Sequence, residues 1–540
     1  MDRRVVGHHG SLSRTALLAV PVLFLAVLFV VPLAAVLRAG VAGGPAAALE
    51  VIGSPQTWTV VGFTILQAAL STLATVLVAL PAAVVIATYR FPGRGLLRAL
   101  VLVPFVMPTV VVAAAFLALV GPTGVLGIDL SGSVWGLVLA HMFLNLAVVI
   151  RVLGASLATL DPDLISAARV LGASPWQAWR RVTWPLVFPA LRASAVIVFL
   201  FCFTSFGVVQ VLGDGQLRTI EVEIYRRTAY LLDIPAAAAL SMLQLLAVVA
   251  MLMVVGRDRR IRRAATVDVA RRPAGTRETL VVAAVALLTA LIVLVPLGVI
   301  AARSFQVGGQ WSTAGWHLLF SPSEVSNAVD PWSAVLASLR TCVTATLLAV
   351  VVGAAAAVGL ALGGRGGWLR GIDALLLLPL GTSAVTVGLG MLLAFGRPPI
   401  DLRNTGALIV LAQALVAMPF VVRVLTPALE GFDRRYLQVA GVLGRSPWRA
   451  VRSVALPLLL PAVTVAAGFA FAVTIGEFGA TVFLATPTDP TLPVAVARLL
   501  ARPGALTVAA AYAASTILMV ITAAVVVGMD RVRVSRAVAF

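Results

Sequence analysis

The 540-residue chain contains no lysine: all 40 of its basic residues are arginines. A phosphate-binding loop of the Walker type needs a lysine to reach the phosphates, so the chain cannot carry one. Cysteine and histidine are scarce as well, at two and four residues. Cys202 and Cys342 fall in apolar runs and belong to no ligand cluster, which leaves them as core residues. Charge is the third shortage. Only 11% of residues are charged against 61% hydrophobic, and the mean hydropathy is +1.06. A soluble globular domain carries about a quarter charged residues, so this composition describes an all-α polytopic membrane protein whose first partner is the lipid bilayer. Acids are rarer than bases, giving a net charge of +19. Read alone, that surplus could point to nucleic acid; in a membrane chain, arginine-rich cytoplasmic loops account for it and no nucleic-acid partner is expected.

What the chain does have is one stretch written twice. Asp161 to Leu191 and Asp433 to Val463 align without a gap at a constant offset of 272 residues. The offset pairs Ala168 with Ala440, Leu171 with Leu443, Gly172 with Gly444, Pro175 with Pro447, Trp176 with Trp448, Arg180 with Arg452 and Pro185 with Pro457. It also joins Arg151 to Arg423, and Phe206-Gly207 to Phe478-Gly479, so the repeat unit exceeds the motif and the chain is two related halves. Asp161 and Asp433 are N-cap candidates, and Gly172 and Gly444 sit where a helix ends in the left-handed conformation. Ser174-Pro175 and Ser446-Pro447 then open a second short helix that should stop before Pro185 or Pro457. Leu164, Ala167, Ala168 and Leu171 share one face of the first helix, as do Leu437, Ala440 and Leu443 in the other copy.

Apolar spans fall near Thr15 to Leu37, Val60 to Thr88, Leu100 to Val120, Val134 to Val152, Pro185 to Leu212 and Pro235 to Val255. The second half has them near Leu280 to Ala302, Trp332 to Leu362, Ile372 to Phe395, Ala407 to Leu425, Pro457 to Leu484 and Ala505 to Met529. The first span is longer than a secretory core and no small-residue cleavage site precedes Arg38, so it is expected to be retained. The expected organisation is about twelve transmembrane helices in two parallel six-helix repeats: a first transmembrane half over 1–255, a basic linker over 256–278 and a second transmembrane half over 279–540. The linker holds eight arginines. With the terminal arginines, Arg90, Arg94, Arg98 and both repeat copies, it marks one side as cytoplasmic; Gly121 to Ser133 and Gln306 to Pro331 hold none. Both termini are therefore expected in the cytoplasm, with loops near Arg226 and Arg498 as exceptions to the asymmetry.

Each repeat copy resembles the cytoplasmic loop of ABC-importer permeases, which reads Glu-Ala-Ala, then a glycine six residues after the glutamate, then a Leu-Pro. Here it reads Ser166-Ala167-Ala168, Gly172 and Trp184-Pro185, then Gln438-Val439-Ala440, Gly444 and Leu456-Pro457. Neither copy keeps the glutamate. The fused halves, Thr204-Ser205-Phe206-Gly207 and Gly476-Glu477-Phe478-Gly479, resemble the ferric-iron and thiamine permease branch, with Thr219 to Asp233 leaning to the thiamine members. The resemblance implies a type I ABC-importer permease fold in an inner cell membrane and alternating access. It also implies two copies of a separate ATP-binding subunit carrying ATP and Mg²⁺, and an extracytoplasmic solute-binding protein. No catalytic residue, metal or cofactor is expected in this chain. ATPase coupling would fall to Asp161, Leu164, Ser166, Ala167, Ala168, Leu171, Gly172 and Pro175, and to Asp433, Leu437, Gln438, Ala440, Leu443, Gly444 and Pro447.

Four more residues are candidates for the substrate path: Ser205, Phe206, Glu477 and Phe478. Glu477 falls inside an expected span, where an acid either serves transport or pairs with an arginine or a backbone group. His141 and Asn145, one helical turn apart, read as a structural hydrogen bond rather than a metal pair. Glu221, Glu223, Arg226 and Arg227 read as an outward loop, either solvated or facing a binding protein. The alternative class is an ion-gradient-driven 6+6 carrier, which has no evident need for a cytoplasmic helix-turn-helix in both halves. A membrane-embedded enzyme finds no nucleophile and base constellation to support it.

Overall fold

A computed structural model describes residues 17–256, 271–273, 275–320, 331–363, 367–398, 400–403, 405–433, 435–486 and 490–537. Most of the linker arginines, together with Arg3 and Arg4, lie outside the described residues. Two short connecting helices, Pro45–Gly53 and Ala314–Phe320, fall one in each half. The other helices of the first half are α1 (Leu17–Gly40), α2 (Pro55–Thr88), α3 (Arg94–Val106), α4 (Thr109–Val120), α5 (Val134–Ala158), α6 (Pro162–Val170), α7 (Pro175–Phe203), α8 (Gly207–Leu212), α9 (Ile220–Ala229) and α10 (Ile234–Gly256). The second half repeats them as α11 (Thr276–Arg303), α12 (Pro331–Gly363), α13 (Gly367–Leu377), α14 (Ala384–Phe395), α15 (Ala407–Glu430), α16 (Arg435–Val442), α17 (Pro447–Ile475), α18 (Thr481–Leu484), α19 (Leu492–Leu500) and α20 (Ala505–Ala537). Ten of these helices are long and apolar enough to cross a membrane, and two bent pairs bring the number to twelve. The only sheets among the described residues are two-residue hairpins.

The first helix of each half reaches across to the other. α1 packs on α14, and α11 packs on α3 and α4. At the first crossing the helices close to backbone contact: a Cβ on Gly390 would lie 2.8 Å from the Pro32 carbonyl oxygen. Small residues allow such approach where lipid supplies no hydrophobic force between helices. The two halves are thus interleaved.

Three expectations need correction. The spans expected over 100–120 and 372–395 are each two helices, bent by 103° between α3 and α4 and by 97° between α13 and α14. Pro108 caps α4 and Ser383 caps α14, its hydroxyl accepting from the Thr386 amide at 3.2 Å. The spans expected to run on to Leu212 and Leu484 stop at Phe203 and Ile475, and the chain turns before α8 and α18. Finally, the second helix of each repeat copy does not stop before proline. Trp179–Thr183 and Val451–Ala455 continue as single π-helical turns into the membrane helix. Pro185 and Pro457 then fall in the first turn that follows, where a widened turn relieves the missing amide.

Candidate translocation cavity and coupling loops

Four helix breaks meet at the centre of the molecule. The α3/α4 break, the start of α14, the α7/α8 break and the α17/α18 break all contribute to the wall of a cavity of about 330 Å³. Irregular backbone at membrane depth is tolerated where it lines a cavity or is buried in protein, and here it comes together in one place. The approach is close: a Cβ on Gly207 would collide with the Thr109 hydroxyl, and one on Gly388 would lie 2.7 Å from the Ala480 Cα. All four path candidates, Ser205, Phe206, Glu477 and Phe478, lie on this wall. None lies inside a helix; each sits in a break or at its edge.

Glu477 is 7% exposed and its carboxylate is held by backbone. One oxygen accepts from the Ala480 amide at 2.7 Å and the other from the Thr481 amide at 2.9 Å, across the start of α18. Of the two structural pairings expected for it, the backbone one is realised. The carboxylate is thus fixed by the turn that opens α18 and is also part of the cavity wall. Facing it, His141 Nε2 lies 2.8 Å from Ser205 Oγ and His141 Nδ1 lies 3.2 Å from Ser71 Oγ. Asn145 Nδ2 donates to the His141 carbonyl at 2.9 Å. The hydrogen bonding expected of His141 is present, and both residues also line the cavity, which their spacing did not reveal. No group of three or more His, Cys, Asp or Glu able to hold a metal occurs among the described residues.

The Phe206 and Phe478 rings stack across the two-fold relation, with centroids 5.2 Å apart and planes 17° from parallel. Tyr225 meets the Phe206 ring edge-on at 5.3 Å and the Phe483 ring at 5.4 Å. Beyond this cluster is a second cavity of about 490 Å³, which shares Phe478 and is lined by Tyr225, Tyr230, Asp214, Arg498 and Ser131. Phe478 lines both cavities, so the aromatic stack lies between the second cavity and the central one.

The acids expected in an outward loop, solvated or facing a binding protein, are instead buried on a packed helix. Glu221 is fully buried on α9, accepting from Gln244 Nε2 at 2.6 Å and from Ser383 Oγ at 2.7 Å. Ser383 belongs to the other half, so this carboxyl bridges the halves. Burial pushes it up to about 7, with the two hydrogen bonds offsetting part of the shift. Burial acts the same way on Glu223, but the Arg226 and Arg227 guanidiniums, at 2.9 and 3.0 Å, outweigh it and hold the carboxyl below its usual range.

The repeat copies form two exposed helix-turn-helix loops. The Asp161 carboxylate accepts from the Asp163 amide at 3.0 Å, and Gly172 and Gly444 adopt φ of 86° and 79°. Leu171 and Leu443 are 86% and 77% exposed, and Val170, Val442, Trp176 and Trp448 stand out beside them. Ala440 is buried, whereas Ser166, Ala167 and Gln438 are exposed. Both halves thus present large apolar side chains at a turn, the kind of exposed patch found at protein or membrane contacts.

The sequence matches the family described as binding-protein-dependent transport system inner membrane component over residues 79–263 and 295–536. The chain belongs to this family. It is a fused, two-half ABC-transporter permease: a multi-pass transport subunit rather than an enzyme. The permease is similar to the thiamine transport system permease protein ThiP of Brucella abortus (strain 2308), at 30% identity over 94% of this chain and 93% of that one. It is also similar to the protein of the same name from Escherichia coli (strain K12), at 28% identity over 81% and 82%.

Proposed function

We propose that this permease imports thiamine, or an organic cation closely related to it, across an inner cell membrane. The observation that carries this reading is the central cavity. Among its lining residues Glu477 is the only acid, no arginine is present, and six phenylalanines (105, 201, 206, 420, 469 and 478) supply ring faces. An anionic wall at membrane depth favours a cation, and aromatic faces stabilise a flat, positively charged ring by stacking and cation–π attraction. A hard trivalent metal wants several oxygen ligands, which suits one carboxylate poorly; this disfavours ferric iron as the cargo. The cavity volume falls within the range of about 300–1,000 Å³ found for small-molecule sites. The names of the relatives point the same way.

In this reading the two exposed loops seat on two copies of an ATP-binding subunit. Leu164, Leu171 and Pro175 with Leu437, Leu443 and Pro447 provide the contact, Asp161 and Asp433 start the loop helices, and Gly172 and Gly444 shape the turns. Ser166, Ala167, Ala168, Gln438 and Ala440 complete the two faces. An extracytoplasmic binding protein delivers substrate to the second cavity, and the Phe206–Phe478 stack is the outer gate. Both termini and the 256–278 linker between the halves (1–255 and 279–540) are cytoplasmic. ATP binding brings the loops together and rocks the halves, exposing the cavity to each side in turn. The test is uptake into proteoliposomes holding the permease, its ATPase and its binding protein, with labelled thiamine and ferric iron in parallel. Thiamine should accumulate only with ATP. Accumulation of iron and not thiamine would overturn the substrate reading.

A further inference from the structure

The two walls of the central cavity are built from equivalent positions but differ in chemistry. The repeat offset pairs Ser205 with Glu477, His141 with Gln413 and Asn145 with Ala417. Ser205, His141, Asn145 and Glu477 line the cavity; Gln413 and Ala417 are buried away from it. The first-half wall therefore offers neutral donors and acceptors, joined by Thr109 and Thr204, while the second-half wall offers one carboxylate among apolar side chains such as Val416, Phe420 and Phe469. A two-fold-symmetric pore would have no preferred orientation for a cargo with two unlike ends. This one does.

We propose, resting on the function assigned above, that the cavity holds its substrate in a single orientation. The cationic ring lies on the Glu477 side, and the uncharged, hydrogen-bonding ring lies against His141, Asn145 and Ser205. The charge goes to Glu477 because it is the only acidic or basic side chain among the lining residues apart from His141. The neutral ring goes opposite because a histidine, an amide and a hydroxyl there can both donate and accept, and the His141–Ser205 bond can be exchanged for bonds to an aminopyrimidine at no net loss of pairs. Residues 141, 145, 205 and 477 thus set specificity within the permease itself, beyond any selection by a binding protein.

The test is direct binding to the permease–ATPase complex in nanodiscs without binding protein. Three probes are used: thiamine, its uncharged pyrimidine half, and oxythiamine, in which a hydroxyl or oxo group replaces the pyrimidine amino group. The wild-type complex should prefer thiamine over the pyrimidine half by about tenfold or more, the size of one charge-assisted interaction. E477Q should shrink that preference to the part that ring stacking supplies, while still separating thiamine from oxythiamine. N145A/S205A should do the reverse. Because Glu477 also caps α18, the exchange variant S205E/E477S guards against a folding artefact: with the acid on the opposite wall it should recover preference for the charged probe relative to E477S. The proposal is overturned if E477Q and N145A/S205A weaken all probes alike, or if E477Q keeps the charge preference. Absence of thiamine binding in nanodiscs while the full assembly accumulates thiamine overturns it as well. Failure of the full assembly to accumulate thiamine instead removes the function on which it rests.

Discussion

The two copies of the repeat are nearly interchangeable at the loops and sharply different at the cavity. Gly172 and Gly444 share one backbone conformation, and Leu171 and Leu443 share one exposure. Further along the same two copies, at the same 272-residue offset, Ser205 and Glu477 occupy equivalent positions and are a neutral hydroxyl and an acid. In the proposed function, symmetry persists where one kind of partner is met twice and is lost where a single asymmetric cargo passes. Interleaving by α1 and α11 lets the two behaviours coexist in one chain, because each half is braced by a helix of the other.

The largest effect is expected at the loops. A Cβ added at Gly172 or Gly444 meets no neighbour within 4 Å, so the damage in Gly172→Val and Gly444→Val comes chiefly from forcing a β-branched residue to φ near 80°, a genuine outlier for such residues. Each variant should assemble in the membrane yet drop ATP-driven uptake to background. Normal transport by both would sink the coupling role. Next comes the aromatic partition. F206A/F478A removes the stack and should open the outer route, giving substrate leak into vesicles without binding protein; a tight vesicle would show that the stack is packing only.

A subtler effect is expected at the cross-half carboxyl. The Glu221 carboxyl, raised by burial to about 7, favours the protonated form in the folded state. Its stabilisation is complete below the unfolded value and is lost as pH rises through about 7, by on the order of 3 kcal/mol. E221Q keeps the shape and removes the titration, so the fall in Tm from acid to alkaline pH should flatten. An unchanged pH profile would place the titration elsewhere. The smallest effect is expected on the first-half loop, where Trp176, Trp179 and Trp184 stack in series at 5.2 and 5.3 Å. Val451 stands at the Trp179 equivalent in the other half. Trp179→Val makes the loops more alike and should cost about 1 kcal/mol or a little more, lowering Tm by a few degrees with ATPase coupling retained.

Much of this was legible in the sequence because it is local. An N-cap acid, a proline and a glycine at fixed spacing determine a short helix and its stop, so the loops could be drawn residue by residue. The twelve-span count held because hydropathy integrates over long windows. Hydropathy does not register direction, however, and the roughly right-angled bends at Pro108 and Ser383 passed as straight spans. Glycines at 207, 476 and 479 were the available signal that the spans ending near 203 and 475 break where the candidate path residues lie. The π-helical turns at Trp179–Thr183 and Val451–Ala455 had no signal that could be told from a helix end. The burial of Glu221 could not be read at all, since its partner Ser383 lies 162 residues away and an acid-rich helix looks solvated until the other half covers it. His141 was legible as a hydrogen-bonding residue but not as a wall residue, because helix rotation fixes which face meets the cavity.

The most direct measurement of the central claim is cross-linking at the loops. Leu171→Cys and Leu443→Cys place single reactive thiols on exposed positions, while the native Cys202 and Cys342 are buried. With the ATP-binding subunit carrying a cysteine in its docking groove, both variants should cross-link, each to one subunit, and the double variant should capture two per permease. Capture that differs between the nucleotide-free and ATP-bound states would follow the loops as they move. If neither position cross-links in an assembly that still accumulates substrate, the repeated loops are not where this permease meets its energy source.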